Sequence, residues 1–411
     1  MGRIIVHIFF LTLAYPLSGN GIYVDLFEEL AERGCFITIC AQDETRNSGP
    51  ALISYRKNIC IFSIPTGRIT KTSILKKGIN TLLLEYRFLK KISQIKFNSV
   101  DVLLYSTPPI TFQKIIPWFK KKYDCISYLL LKDIFPQNAV DLGIIKKNGI
   151  LYELFRNKEK KLYQHSDIIG CMSPANIKYL LENNYVLLTK KINITPNCMF
   201  PLKRALVRNN AVLGMHKIPH EKIKLIYGGN IGKPQGIDFI IKCLHVIKKY
   251  DNIFLTIVGD GTEFDKLRKS IDNSVLNIKL LNSLPTNAYR ELLENMDAGL
   301  IFLDNKFSIP NFPSRILDFM NYSKPIIACT DIICDVKQEI CDQGAGFWCR
   351  SDDIIEFIKI IEIIIKNKEI LVEMGKKSRE LFLKKFSVQV VVTDILREIA
   401  DFNISKADIG D

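Results

Sequence analysis

In the segment Ile309–Thr330, IPNFPSRILDFMNYSKPIIACT, a proline-rich loop runs into an amphipathic helical stretch. A loop that feeds a helix start leaves several backbone N–H groups without partners and carries about half a positive charge. Ser314 and Arg315 add a hydroxyl and a fixed guanidinium at that point, which suits a phosphate. Asp318 follows Ser314 by four positions on the same helix face and is placed to accept from a sugar hydroxyl. The chemistry these types imply is the holding of a nucleotide-sugar diphosphate. The plainer alternative is Ser314 as an N-cap beside solvated surface charges.

Two glycine-rich turns add to this set. In YGGNIGKPQG, Tyr227–Gly236, glycines including Gly229 remove side chains where a diphosphate would approach backbone N–H groups. Asn230 and Gln235 are expected to hydrogen-bond phosphate, and Lys233 to add charge. In Val258–Gly261, VGDG, the residues Gly259 and Asp260 end a strand with room for a base or ribose. In the first half, the loop Ser18–Gly21 (Gly19, Asn20, Gly21) and the pair Lys132-Asp133 are expected to face donor or acceptor. Asp133 would orient a hydroxyl, or cap a helix before Ile134. There is no Asp-x-Asp, the five histidines form no ligand pair, and the eleven cysteines show neither C-x-x-C nor zinc spacing. No metal and no other cofactor is expected. The cysteines read as reduced core residues.

The elements that must position these residues alternate. The 411 residues are too many for one ordinary core and suit two α/β domains. Strands are expected at Arg3–Leu13, Phe36–Cys40, Val100–Tyr105, Cys125–Leu131, Ile168–Met172 and Lys191–Thr195. The pattern restarts at Ile223–Tyr227, Ile253–Val258, Ile278–Leu281, Ala298–Leu303 and Pro325–Cys329. This predicts two doubly wound Rossmann-like domains facing across a cleft. Their expected bounds are residues 1–198, a basic linker over 199–222, a second domain over 223–385, and a C-terminal helix and tail over 386–411 crossing back to the first. In such sheets ligands bind beyond the carboxyl ends of the strands, and the informative loops all follow strands. The apolar run after Arg3 reads as a buried first strand, not a leader, because a single basic residue precedes it and His7 interrupts it.

Charge is one-sided. The formal net charge is +14, and residues 1–200 hold 27 Lys and Arg against 15 Asp and Glu, while the remainder holds 30 against 28. A basic half implies an acidic partner. Lys71–Lys96 is lysine-rich with leucines and isoleucines at helical spacing, and Phe112–Tyr123 sets Trp118 and Phe119 beside Lys120, Lys121 and Lys122. Such segments suit an anionic membrane surface. Nucleic acid is not expected, since no helix-turn-helix, finger or aromatic RNA-binding motif is present.

Taken together, YGGNIGKPQG, IVGDGTEFDKL, LPTNAYRELLENMDAGLIFL, PSRILDFMNYSKPIIA and MGKKSRELFLKKFS resemble glycosyltransferase family 4 of the GT-B fold. LLYSTPPITF, LKDIFPQNAVDLG and EKKLYQHSDIIGCMSPANIKYL extend the resemblance through the first half, in the manner of bacterial O-antigen and capsule transferases of N-acetylfucosamine type. The resemblance implies a retaining transferase, cytoplasmic and peripheral on the inner face of the membrane. It would move a sugar from a nucleotide donor, with a UDP-sugar expected, to a polyprenyl-diphosphate-linked saccharide. The family's paired glutamates become Pro310 and Asp318, and its basic pair in the first loop becomes Asn230 and Gln235. Donor contacts then fall to Asn311, Phe312 and the loop backbone, and phosphate charge to Arg315 and Lys233. The competing readings are a UDP-sugar 2-epimerase on the same fold, whose carboxylate and histidine set is not found, and a non-catalytic basic binding protein.

Overall fold

The computed structural model describes residues 6–16, 21–44, 50–66, 74–271 and 276–408. The chain divides into two compact units. One holds everything up to Met199 together with the chain from Val391 on, and the other is Phe200–Val390.

The first unit is built on an eight-stranded sheet. Its strands are β1 (His7–Thr12), β2 (Phe36–Asp43), β3 (Ala51–Arg56), β4 (Ile59–Pro65), β5 (Val102–Ser106), β6 (Ile126–Leu131), β7 (Ile168–Cys171) and β8 (Lys191–Ile194). They lie in the order β3-β4-β2-β1-β5-β6-β7-β8. All neighbours pair in parallel except β3 with β4. This hairpin was not anticipated, because its exposed Leu52 and Ile53 blur the alternation that marks a half-buried strand. The apolar run after Arg3 becomes central strand β1, with residues 8–11 fully buried, as expected of a strand covered on both faces by helices.

The second unit has six parallel strands: β9 (Ile223–Gly228), β10 (Ile253–Val258), β11 (Ile278–Leu281), β12 (Ala298–Phe302), β13 (Ile326–Thr330) and β14 (Gly346–Arg350). Their order is β11-β10-β9-β12-β13-β14, with the switch in direction between β9 and β12. Leu225, Tyr227, Leu255, Leu300 and Ile327 of these strands share one core with the helix Ile237–Ile247.

The expected linker over 199–222 is corrected, since from Phe200 the chain is part of the second unit. Asn321 Oδ1 accepts from the Leu202 amide at 2.9 Å, and the Arg204 fork meets both carboxylate oxygens of Glu294 at 2.7 and 2.6 Å. Asn295 Oδ1 accepts from Asn209 N at 2.6 Å, and the helix Asn210–Met215 follows. The basic, irregular composition that suggests a tether instead supplies partners for acidic groups on the second sheet's flank. The final helix, Val388–Asp408, joins the first unit, where Lys191 Nζ lies 2.9 Å from Glu398.

Candidate donor site

The carboxyl end of β9 and the loop after β12 meet at the switch point of the second sheet. Arg315 precedes the short helix Ile316–Asn321, and its Nη1 donates to Gly228 O at 2.7 Å. The guanidinium lies over the Tyr227 ring, 5.0 Å from its centroid. A Cβ on Gly229, whose φ is +128°, would fall 2.6 Å from the guanidinium carbon. Glycine here lets the arginine lie against the turn. Among the described residues, no carboxylate pairs with Arg315. It is a half-buried cation with donors to spare, and a phosphate is a natural counter-ion for it.

Other expected donor residues are used differently. Asp318 accepts from Arg290 Nε at 3.1 Å. Desolvation pushes its carboxyl above the usual range, with Arg290 opposing the shift. Asp318, expected as an acceptor for a sugar hydroxyl, is here half of an ion pair through Oδ1. Asn230 Nδ2 donates to Gln235 Oε1 at 2.9 Å, and the Gly232 amide reaches the same oxygen at 3.2 Å. Gln235 is buried, and its Oε1 staples its own turn. Asn230 and Lys233 are exposed beside it.

The VGDG turn does not leave open room at its glycines. A Cβ on Gly259 would fall 1.8 Å from Gly229 O, and one on Gly261 2.2 Å from Ile231 O. The two turns instead continue the β9–β10 pairing, with Gly229 N to Val258 O and Ile231 N to Asp260 O both at 2.8 Å. Several turn amides expected to cradle a diphosphate are thus already committed. Asp260 stays exposed and accepts from the Ser283 amide at 3.3 Å. Phe312 stacks on Phe386 with centroids 5.8 Å apart, so that face of the ring is taken. Asn311 is half-buried with a 3.4 Å contact to Ile309 O, and Ser314 is exposed without a capping bond.

Tyr289 and Arg290 were missed. They lie one turn into the helix Thr286–Glu294 of LPTNAYRELLE, a run noted for its resemblance but not for its chemistry. A Cβ on Gly228 would fall 2.2 Å from Tyr289 Oη, so that glycine admits the tyrosine. The usable signal was the adjacent aromatic and cation one turn into a helix after Pro285.

In the first unit, Gly21 starts the helix Ile22–Glu32 with φ +151°, while Gly19 and Asn20 lie outside the described residues. Lys132 and Asp133 follow β6, but both are engaged. Lys132 Nζ donates to Thr195 O at 2.9 Å, and burial pulls its ammonium down to about 8. Both Asp133 oxygens accept from Asn138 Nδ2 at 2.8 Å, and burial pushes its carboxyl up. Among the described residues, no group of three or more His, Cys, Asp and Glu is placed to hold a metal.

Among the described residues, an arginine with no carboxylate partner thus stands at the switch point of a doubly wound sheet. Residues 213–381 match the family model described as Glycosyl transferases group 1. The chain is 24% identical over 326 residues to the probable glycosyltransferase WbjE of Pseudomonas aeruginosa, covering 78% of this chain and 79% of that protein. It is 22% identical to a poly(ribitol-phosphate) alpha-N-acetylglucosaminyltransferase of Staphylococcus aureus (strain COL), covering 79% of this chain and 61% of that one. In fold it is similar to sucrose-phosphate synthase from Thermosynechococcus elongatus, with TM-score 0.76 and 13% identity over 97% of this chain and 100% of that one. It is also similar to Anabaena HepE, a structure in complex with UDP, with TM-score 0.67 and 11% identity over 97% and 100%. Residues 213–381 thus carry a glycosyl transferases group 1 domain, and the fold of the chain is that of the GT-B glycosyltransferases.

Proposed function

We propose that the protein is a retaining, family 4 transferase that moves a sugar from a nucleotide-sugar donor, a UDP-sugar of N-acetylfucosamine-like type, to a polyprenyl-diphosphate-linked saccharide. The setting is bacterial O-antigen or capsule assembly, with the protein cytoplasmic and peripheral on the inner face of an anionic membrane. The observation that carries the donor assignment is Arg315, half-buried against Tyr227 and Gly228 with no carboxylate partner among the described residues. In a transfer with oxocarbenium-like character, negative charge grows on the departing diphosphate. Arg315, with Lys233 exposed on the turn that follows β9, would stabilise that charge more in the transition state than in the ground state. Asp318, aligned by Arg290, would accept from a ribose hydroxyl. Metal is not required in this account, and activity should persist in EDTA. Activity lost in EDTA and restored by manganese would overturn that part.

The test is calorimetric titration of UDP into the parent and Arg315→Ala. A charge-assisted contact of roughly 1.5–3 kcal/mol makes the expected loss about 10- to 100-fold. Unchanged UDP affinity in a folded variant would remove the assignment. Nucleotide release only when a lipid-linked acceptor is present would separate transfer from epimerisation.

A further inference from the structure

The two lysine-rich segments singled out by sequence have their apolar faces packed inward. Leu84, Phe88 and Ile92 of the first are buried, as are Phe112, Ile115 and Phe119 of the second. Trp118 is half-buried, edge-on to Phe119 at 5.1 Å and with Lys122 Nζ 4.8 Å from its ring centre. Among the described side chains, the second segment exposes no large apolar group, and the first exposes Leu83 and Tyr86.

The helix Ile150–His165 is different. Leu162 and Tyr163 face the core, but Ile150 is 90% exposed, Ile144 on the preceding loop is 70% exposed, and Leu151 and Leu154 are exposed beside them. Positions 150 and 154 share one stripe, with 151 alongside. Gly149 N donates to Lys146 O at 3.1 Å, a tight turn that keeps the loop close to the helix start. Tyr185, Val186 and Leu188 are also exposed. Their turn is tied to the same helix by Arg156 Nη2, which donates to Asn183 O and Asn184 Oδ1 at 2.7 Å. Residues 141–161 contain six Lys and Arg against three Asp and Glu. Lys146, Lys147, Lys160 and Lys161 are exposed, and so is Glu153, while Glu159 is buried against Arg156 and Tyr163. Exposed large aliphatics inside a basic rim match an interface of acyl chains beneath anionic headgroups. A second copy fits less well, because a two-fold contact would set these lysines against each other.

We propose that this face docks on an anionic lipid bilayer, with Ile144, Ile150, Leu151 and Leu154 entering the interface and the surrounding lysines meeting headgroups. The inference rests on the peripheral-membrane reading above and names the surface that performs it.

The test is co-sedimentation of the full-length protein with phosphatidylcholine vesicles, with and without phosphatidylglycerol. The parent should bind only the anionic vesicles. Ile150→Ser/Leu154→Ser should weaken binding about tenfold or more, since each aliphatic loses its apolar environment. Lys146→Gln/Lys147→Gln should weaken it about tenfold and flatten its salt dependence. UDP affinity should be the same throughout and reports that each variant is folded. If the parent binds and both variants match it, another face docks and this proposal falls while the membrane reading stands. If the parent binds UDP but no vesicle at any salt, the membrane reading falls and takes this proposal with it. Variants that change elution volume but not vesicle binding would show a second copy on the patch and overturn the proposal.

Discussion

Arg315 and Lys132 each stand beyond the carboxyl ends of a parallel sheet, and each contacts a backbone carbonyl. Their surroundings differ. Arg315 sits at the β9/β12 switch point, bonded to Gly228 O through one of its nitrogens and with donors left over. Lys132 follows β6, one strand removed from the β1/β5 switch point of its own sheet, and points its ammonium at Thr195 O among Cys171 and Cys198. One cation is stacked on an aromatic face with an open front. The other is half-buried with its ammonium on a backbone carbonyl, where desolvation disfavours its charge. A cation in the right topological position is a ligand group only if the fold leaves it capacity, and by that measure Arg315 of the second unit is the better candidate for the proposed donor contact.

The strongest way to break this comparison is to damage the turn that supports Arg315. In Gly259→Ala the added methyl would meet Gly229 O at 1.8 Å, with no flexible side chain to yield. A loss of about 3 kcal/mol or more in stability is expected, together with donor binding, as for other strained or overpacked sites. Thermal unfolding and UDP titration check it. A stable variant with full UDP affinity would mean that the two turns are not locked together.

A smaller effect isolates the Arg290–Asp318 pair. Asp318→Asn should raise the donor Michaelis constant by roughly tenfold, because a neutral amide accepts hydroxyl hydrogen bonds less strongly than a carboxylate. Arg290→Met should do the same without touching the ligand, by releasing Asp318 from its 3.1 Å contact. If Arg290→Met is kinetically silent while Asp318→Asn is not, the carboxylate needs no positioning partner.

The smallest effect sharpens the contrast in protonation. Burial lowers both Lys132, in the first unit, and Lys324, in the second, from 10.5 to about 8. Between about pH 8 and 10.5 the unfolded chain holds a proton at each site that the folded chain has released. Stability contributed there therefore rises with pH through that window, by at most ~1.4 kcal/mol per pH unit per site. Lys132→Met should remove its share of the slope from the first unit and leave UDP affinity unchanged. Lys324→Met should do so in the second and also cost more at neutral pH, since Lys324 Nζ donates to both Glu294 O and Met296 O at 2.8 Å. Unfolding midpoints over that pH range decide it. An unaltered slope would show that these ammonium groups are solvated.

Most of the scaffold was legible in the chain. β-branched runs punctuated by glycine turns predict the strands of both sheets except the β3–β4 hairpin and β14. Gly228 and Gly229 mark a strand end, and the position of Arg315 before Ile316–Asn321 follows from the loop that feeds it. These are local properties, set by periodicity and by what a backbone turn permits. What the tertiary structure decided is which polar groups remain available. Asp318 meets Arg290 across 28 residues, Arg315 reaches Gly228 across 87, and Leu202 binds Asn321 across 119. Gln235 spends its oxygen on its own turn, and the VGDG glycines admit a neighbouring backbone rather than a base. Residue type and spacing determine what a side chain can bind, but a buried polar group takes the nearest partner that satisfies it. That partner is found by folding, so the sequence named the chemistry of the site while the packing chose which residues still carry it.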